Sequence, residues 1–468
     1  MIGSLKYLTL GDDYFAQVET KKLENSKLVH VNQSLKKDLN LDMSDENLLT
    51  ICSGEKKLGD VNPISTVYAG HQFGYFVPQL GDGRSCLIGE ISNYEVSLKG
   101  AGTSPFSRGA DGRAVLRSSI REYLCSIAME ALNIPTTKAL ALVASDTGVY
   151  REHLENASIV TRVAESHIRF GHFEFFAARG QTANVKKLAD FVIKHHLPHV
   201  DQDNYLELFK EVVRSTALMI ARWQAQGFAH GVMNTDNMSI LGLTIDYGPF
   251  SFMETYNPGF ICNHSDTHGR YSFEKQPSVA LWNLHRLADA LKSLVNEAQL
   301  KEAIAEYEPS LVKEYSSLMR RKFGLLEASD QDNSLINEFL DLLYSNKKDY
   351  HRSMRQLSSE SEHTFGANFD SWFVRYKVRL EKETSKMNQR VTMMNKVNPK
   401  YVLRNYKVDN KKLFLNYRGV SKKEFSPKYK ASREWLIKWY EEFPQTKEKI
   451  ILTIPGRITR IKGQDHFI

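Results

Sequence analysis

Cysteine is scarce in this chain of 468 residues, and long hydrophobic runs are missing from it. The four cysteines are widely spaced and form no Cys-x-x-Cys pair, which argues against a disulfide framework or a zinc ribbon and indicates a reducing compartment. The longest clean apolar run, Ala139–Ala144, is far shorter than the roughly 18 residues that span a bilayer. The start of the chain resembles neither a secretory signal nor a transit peptide. We therefore expect a cytoplasmic protein with no membrane partner.

Positive charge is in excess over the whole chain, at +7, and it is concentrated near the C-terminal end. Residues 401–468 hold 16 Lys and Arg against 7 Asp and Glu, so the rest of the chain is close to neutral. Lys-rich tails are usually solvated surface, and no RNA- or DNA-binding motif accompanies this one. We expect no nucleic acid partner and predict that residues 406–468 form a divergent Lys-rich tail.

The order of the predicted elements divides the rest of the chain in two. Between residues 68 and 112 the sequence is rich in Gly and alternates apolar runs with turns, which predicts an antiparallel sheet. One helix, with apolar residues three and four apart from Ile120 to Ala131, interrupts the strands and ends before Pro135. Strands are predicted over 73–77, 86–91, 94–98, 138–145, 148–151 and 157–164, and later helices over 185–195, 205–226 and 279–297. The sequence predicts an α+β protein with a β-rich part, 1–180, and a mostly helical part, 181–405.

The most informative stretch runs from His230 to Asn237, and Asp246-Tyr-Gly248 follows it. Asp236, Asn237 and Asp246 fall on short loops next to two apolar segments, 238–241 and 243–245, that we expect to be strands. A phosphotransfer site of the kinase type needs such a cluster, with one carboxylate beside the attacking hydroxyl and Asn and Asp oxygens for Mg²⁺. A pair of Asx-rich turns around a hairpin is the structural alternative.

Protein kinases place the first carboxylate third in a His-Arg-Asp triplet, where this chain has Val232. Val232 accepts no proton, so Asp236 is the carboxylate left in that loop. A β-rich half, a helical half and such loops near their junction predict a bilobal protein-kinase-like fold, with a β-rich N-lobe and a mostly helical C-lobe. A nucleotide would lie in the cleft between the lobes.

Candidate phosphate contacts lie in the β-rich half. Gly81 and Gly83 flank Asp82 in a turn, where backbone N–H groups could approach a phosphate and Arg84 could add a bidentate contact. A plain hairpin turn is the alternative, because Asp-Gly is a strong hairpin signal.

Lys99 and Glu122 could form the ion pair that kinase folds use to hold the phosphates. Lys99 ends a predicted strand after a Gly-rich hairpin, although a surface Lys at a strand end is common. Glu122 lies on the following helix, where it would orient Lys99. Ser119-Ile-Arg-Glu122 also reads as a capping box, in which Glu122 only satisfies a backbone N–H at the helix start.

Further charged residues lie before that helix and near the junction of the two halves. Asp111 and Gly112 precede the helix, whose N-terminus could bind an anion, or they form a simple turn. Arg162 and Arg169 bracket an apolar stretch and could neutralise a polyphosphate, or they are solvated or paired with Glu.

Together these segments resemble the selenoprotein O (SelO, also called YdiU) family of protein adenylyltransferases, which have a kinase fold. The matching runs are 68–74, 79–84, 97–102, 104–114, 117–124, 161–164, 230–242, 246–249 and 262–266. Several of them are long and chemically unusual, which makes the resemblance specific.

The resemblance implies that the nucleotide binds inverted relative to a kinase, so that AMP moves from ATP to Ser, Thr or Tyr hydroxyls of proteins and pyrophosphate is released. It implies that Lys99, Arg162 and Arg169 bind the polyphosphate and that Glu122 fixes Lys99. The nucleotide site would be lined by Gly81, Gly83, Arg84, Asp111 and Gly112. Asn237 and Asp246 would hold Mg²⁺ (or Mn²⁺), and Asp236 would accept the proton. ATP and protein substrates are then the partners. The alternatives are a kinase that moves the γ-phosphate and an inactive nucleotide-binding pseudokinase that acts as a scaffold.

Overall fold

The computed structural model describes residues 2–359 and 365–404, and the predicted tail, 406–468, lies outside the described residues. The strands are β1 (Ile2–Gly3), β2 (Phe15–Gln17), β3 (Lys27–Val31), β4 (Ile64–Thr66), β5 (Gly70–Gln72), β6 (Tyr75–Val77), β7 (Ser85–Ile91), β8 (Tyr94–Lys99), β9 (Ala114–Val115), β10 (Lys138–Tyr150), β11 (Leu154–Ala164), β12 (Phe228–Ala229) and β13 (Ser251–Phe252). The helices are α1 (Gln33–Asp38), α2 (Asp45–Cys52), α3 (Leu116–Ala131), α4 (Phe170–Ala177), α5 (Thr182–His196), α6 (Tyr205–Ala225), α7 (Gln276–Leu291), α8 (Glu297–Ala305), α9 (Tyr307–Lys322), α10 (Asp332–Ser345), α11 (Tyr350–Gln356), α12 (Asp370–Glu381) and α13 (Met387–Val397). The chain is therefore a mixed α and β protein, with most strands before residue 165 and most helices after it.

The main sheet is antiparallel and has the strand order β2-β4-β7-β8-β11-β10-β3, with β1 added to β7 and β9 added to β11. In the register of β8 and β11, Lys99 lies opposite Val160, and Ser97 lies opposite Arg162. Because side chains alternate between the faces of a strand, Lys99 and Arg162 are diagonal neighbours on the same face. The pairing of two strands thus brings the two cations together.

Two apolar clusters cover the two faces of the sheet. Ile88 and Ile159 belong to one cluster, whereas Leu87 and Val160, the adjacent residues on the same strands, belong to the other. The second cluster includes the buried face of α3, which packs against β10 and β11. Helix α3 therefore lies on the sheet face that carries Lys99 and Arg162. A third cluster holds α9–α12 together.

Most of the predicted elements are confirmed, with four exceptions. The strand predicted over 73–77 begins only at Tyr75, because Phe73 and Gly74 form the turn between β5 and β6. The strands predicted over 138–145 and 148–151 are one strand, β10, with a shift in register between Ala144 and Gly148. The helix predicted over 279–297 ends at Leu291, and α8 begins at Glu297. The strands predicted over 238–241 and 243–245 are wrong, because these segments make only isolated bridges through Ser239 and Thr244. Met238, Ile240 and Ile245 are buried in the core, and Leu241 and Leu243 are half-buried.

Within the residues that the structure describes, no helix has both the length and the apolar character that crossing a membrane requires.

Candidate active site

A cavity of about 410 Å³ opens at the end of β8, between the turn at residues 81–85, the loop at 106–113 and the loops at 232–248. Ten of the predicted site residues line it: Gly81, Gly83, Arg84, Lys99, Asp111, Gly112, Arg169, Asp236, Asn237 and Asp246. The other two, Glu122 and Arg162, lie behind Lys99 and Asp246 and are bonded to them. The structure therefore brings all the predicted site residues into one region.

Glu122 joins two buried cations on the inner side of the cavity. Its Oε2 lies 2.5 Å from Lys99 Nζ, and its Oε1 lies 2.5 Å from Arg162 Nε. The capping-box interpretation of Ser119-Ile-Arg-Glu122 is wrong, because α3 already begins at Leu116. Burial, followed by the charge of Arg162, lowers the pKa of Lys99 to about 8, although Glu122 acts in the opposite direction.

Asp246 accepts hydrogen bonds from both arginines. Arg162 Nη2 lies 2.6 Å from its Oδ1, Arg169 Nη1 donates to its Oδ2, and Lys99 Nζ lies 4.0 Å from Oδ1. Burial alone would raise the pKa of Asp246, but Arg169, Arg162 and Lys99 hold that pKa well below its usual value. Asp246 is thus an ionised carboxylate at which three cations converge, and this excess of positive charge suits a polyphosphate.

Asp236 lies in a single 3₁₀ turn, Thr235–Asn237, and its carboxylate is held on one side only. Its Oδ2 accepts a hydrogen bond from Gln72 Nε2 at 3.1 Å, and Arg169 Nη1 donates to its backbone oxygen at 2.7 Å. Its Oδ1 is buried and has no hydrogen-bond partner among the described atoms. Burial raises the pKa of Asp236 to about 6. The free oxygen is therefore a candidate proton acceptor.

The β5–β6 hairpin fixes the loop that carries Asp236. His71 N donates to Thr235 Oγ1 at 2.7 Å, and Phe73 N donates to Asn234 Oδ1 at 3.3 Å and to Tyr271 OH at 2.9 Å. No role in the site was predicted for this hairpin, although residues 68–74 form one of the runs that carry the family resemblance. The features that could have indicated a role are the two glycines of the hairpin, Gly70 and Gly74, and the polar side chain of Gln72 between them.

Gly81 and Gly83 allow another segment of the chain to pack against them. A Cβ on Gly81 would lie 2.5 Å from the Phe106 ring, and a Cβ on Gly83 would lie 2.7 Å from the Phe106 backbone oxygen. We expected these glycines to leave room for a phosphate, and the structure gives a different reason for the missing side chains. Both residues nevertheless line the cavity.

Asp82, which the sequence analysis treated as a turn residue, is buried and faces inward. Its Oδ2 accepts hydrogen bonds from the Thr66 backbone N–H at 3.1 Å and from Thr66 Oγ1 at 2.6 Å. Its Oδ1 lies 3.9 Å from Arg169 Nη2. Asp82 therefore fastens the turn to β4 and faces Arg169, a role that only long-range contacts reveal.

Asp111 and Gly112 line the cavity without forming a helix N-terminus. Strand β9 separates them from α3, so the predicted anion site at that helix end is wrong. Asp111 is instead paired with Arg151, whose Nη1 lies 2.6 Å from Oδ2. Gly112 has φ of +68°, and a Cβ there would lie 2.1 Å from the Gly102 oxygen, so the position requires glycine.

The oxygens at the mouth of the cavity suit Mg²⁺. Asn237 donates from Nδ2 to the Val232 oxygen at 3.1 Å, which orients its amide so that Oδ1 is the atom a metal ion would contact. Asp246 offers a carboxylate in the lining of the same cavity. Mg²⁺ takes hard oxygen ligands, usually one or two carboxylates together with phosphate and water oxygens. The donor set therefore fits this ion.

Comparison with known proteins places these residues in a family. Residues 4–412 match the family model described as protein adenylyltransferase SelO. The chain is 47% identical over 413 residues to the protein nucleotidyltransferase YdiU of Enterobacter sp. (strain 638), which covers 84% of this chain and 86% of the relative. It is 48% identical over 425 residues to the YdiU of Vibrio vulnificus (strain YJ016), with 86% and 87% covered, and 47% identical over 422 residues to that of Aliivibrio salmonicida (strain LFI1238), with the same coverage.

Proposed function

Since the chain belongs to the SelO family of protein adenylyltransferases, it is a nucleotidyltransferase, and we propose that it moves AMP from ATP to Ser, Thr or Tyr hydroxyls of proteins. In this reaction the acceptor oxygen forms a bond to the α-phosphorus while the bond from that phosphorus to the bridging oxygen breaks. The hydroxyl proton goes to Asp236, and the leaving group is pyrophosphate.

The observation that best supports this proposal is the convergence of Lys99, Arg162 and Arg169 on Asp246. Pyrophosphate leaves with more negative charge than one Lys offsets, so an additional pair of arginines favours a reaction with that leaving group. Glu122 keeps Lys99 and Arg162 in place on the inner side of the cavity.

The base is proposed to be Asp236, because its Oδ1 is buried and unpaired. Gln72 and Arg169 hold the rest of that residue, so Oδ1 is the atom free to accept the hydroxyl proton. Asn237 and Asp246 would hold Mg²⁺, which when bound stabilises negative charge on the phosphates. Gly81, Gly83, Arg84, Asp111 and Gly112 would line the nucleotide site.

The architecture that we propose for this chemistry is the bilobal kinase-like one, with lobes over 1–180 and 181–405. The main sheet with α3 supports the first lobe, and helices α5–α13 support the second. The nucleotide would lie where the two meet. All four cysteines are free thiols, which supports our proposal of a reducing, cytoplasmic location.

Two substitutions test these assignments. Asp246→Ala is expected to abolish both Mg²⁺-dependent ATP binding and transfer, because it removes a proposed metal ligand and the carboxylate on which the three cations converge. Asp236→Ala is expected to spare ATP binding and abolish transfer. Asp42→Ala, on an exposed loop, is the control and should alter neither. ATP binding is measured by calorimetry, and AMP transfer is measured by the release of pyrophosphate. Transfer at the wild-type rate by Asp246→Ala would contradict the proposed site.

A further inference from the structure

A second and larger cavity, of about 820 Å³, lies beside the first. The two cavities share Arg84, Lys99, Val232 and Gly248 in their linings, so the second is continuous with the proposed nucleotide site. Its walls are the start of α3, the segment from Tyr247 to Ser265 and the turn of the β5–β6 hairpin. The proposed reaction needs a second substrate next to the nucleotide, and this cavity provides space there.

Phe73, at the hairpin turn, forms one apolar wall of this cavity. Its side chain is 37% exposed, and Ile261, which also lines the cavity, is 40% exposed. Phe260, which is half-buried, adds further apolar surface. Exposed apolar side chains inside a cleft mark a binding surface more often than isolated ones on an open face do.

The backbone of Phe73 is in an unfavourable conformation. Phe73 has φ of +52° and Gly74 has φ of +91°, as expected for a two-residue hairpin turn in which Asn-Gly is the favoured sequence. A bulky residue at positive φ is uncommon, and such strain persists where surrounding contacts impose it. Here the Phe73 N–H donates to Asn234 and Tyr271, and its ring packs 5.1 Å from the Tyr271 ring.

The same hairpin holds the proposed base. Gln72, directly before Phe73, donates to Asp236 Oδ2. Consecutive Cα atoms are about 3.8 Å apart, so Phe73 is a single residue away from the side chain that contacts the base. A polypeptide whose hydroxyl approaches the Asp236 carboxylate would therefore pass close to the hairpin that carries Phe73.

We propose that the second cavity binds the acceptor protein as an extended segment, and that Phe73 and Ile261 select an apolar side chain next to the modified hydroxyl. This inference rests on the proposed function, because it requires a protein as the second substrate. The strained Phe73 is then kept for its contact with the acceptor, although Asn would suit the turn better.

The test combines two enzymes with two sets of synthetic peptides, each with one Ser, Thr or Tyr flanked by either Leu or Ala. With the wild-type protein and α-labelled ATP, the Leu peptides are expected to show a KM about tenfold lower than the Ala peptides, the effect of burying part of one Leu side chain. With Phe73→Asn this preference is expected to disappear, while the KM for ATP stays unchanged. Ile261→Asn should give the same result if Phe73→Asn does not fold.

The thermal transition separates this role from a structural one. Asn suits positive φ, so the Tm of Phe73→Asn should not fall even though the preference for Leu is lost. Tyr75→Asn is the matched control, on the same hairpin and 80% exposed, and it should keep the preference. A Leu preference that survives in both Phe73→Asn and Ile261→Asn overturns the inference.

The outcome also distinguishes this inference from the proposed function. A wild-type protein that labels intact proteins but none of the peptides contradicts a site for an extended segment. A wild-type protein that labels neither contradicts the proposed function itself.

Discussion

Gln72 Nε2 donates a hydrogen bond to Asp236 Oδ2 over 3.1 Å, although 164 residues separate the two in the chain. The contact occupies one carboxylate oxygen and leaves the other, Oδ1, without a partner among the described atoms. The hydrogen bond from the Gln72 amide therefore orients the Asp236 carboxylate and leaves Oδ1 as its unpaired oxygen.

Removing that hydrogen bond should slow transfer without weakening ATP binding. Gln72→Met keeps the length of the side chain and loses the donor. We expect the rate of AMP transfer to fall about tenfold, since a hydrogen bond to a charged group contributes roughly 1.5–3 kcal/mol. Single-turnover rates and the Kd for ATP are the measurements. Thr235→Val, which removes the acceptor of the His71 N–H, is the comparison for a general loosening of the hairpin. An equal loss of rate and of Tm in both variants would assign Gln72 a structural role only.

Gly70 leaves space for the proposed base, and alanine at this position should displace it. A Cβ on Gly70 would lie 2.7 Å from Asp236 Oδ1 and 2.8 Å from its Cβ. Gly70 is not at positive φ, so the backbone itself tolerates alanine. We expect Gly70→Ala to lower the transfer rate at least tenfold, because a displacement of about 1 Å in a reacting group costs that much or more.

Gly3→Ala is the matched control, because a Cβ there meets no atom within 4 Å. Circular dichroism should show both variants folded. If Gly70→Ala transfers AMP at the wild-type rate, the assignment of Asp236 Oδ1 as proton acceptor is wrong.

Glu122 should be important for stability as well as for activity. It is buried and is the shared partner of Lys99 and Arg162. Glu122→Ala leaves two buried cations short of a counter-charge, and breaking such a pair costs about 3–5 kcal/mol. We expect urea unfolding to show that the free energy of unfolding falls by that amount.

The control is Lys301→Ala, which breaks the exposed pair of Lys301 with Glu297. Exposed ion pairs of this kind contribute about 0.3–0.5 kcal/mol to the free energy of unfolding, so the midpoint of the urea transition should barely change. If Glu122→Ala and Lys301→Ala lose equal amounts of unfolding free energy, the charges around Lys99 are screened by water.

Local patterns predicted much of the fold and the outline of the site. The strands over 86–91 and 94–98 alternate with turns, and the 205–226 helix has a continuous apolar face, so short-range sequence was sufficient for them. Asp236, Asn237 and Asp246 could be predicted because the chemistry of a phosphate site demands these residue types at close spacing. Short-range patterns failed at 238–245, where apolar residues are buried without forming strands.

Contacts between distant segments could not be predicted in this way. Arg162 and Asp246 are 84 residues apart, and their bond depends on how β11 meets the loop after Ile245. The sequence indicated only a turn at Asp82 and nothing at Gln72, whereas the tertiary structure brings them to Thr66 and Asp236. Sequence spacing alone also could not decide whether Glu122 capped α3 or paired with Lys99.

The central claim is that the α-phosphorus of ATP, and not the γ-phosphorus, is transferred to protein. Two parallel reactions test it, one with ATP labelled on the α-phosphate and one with ATP labelled on the γ-phosphate, with the same acceptor proteins and Mg²⁺. We predict that protein becomes labelled only from the α-phosphate, with one pyrophosphate released for each AMP attached. Protein labelled from the γ-phosphate would contradict the account.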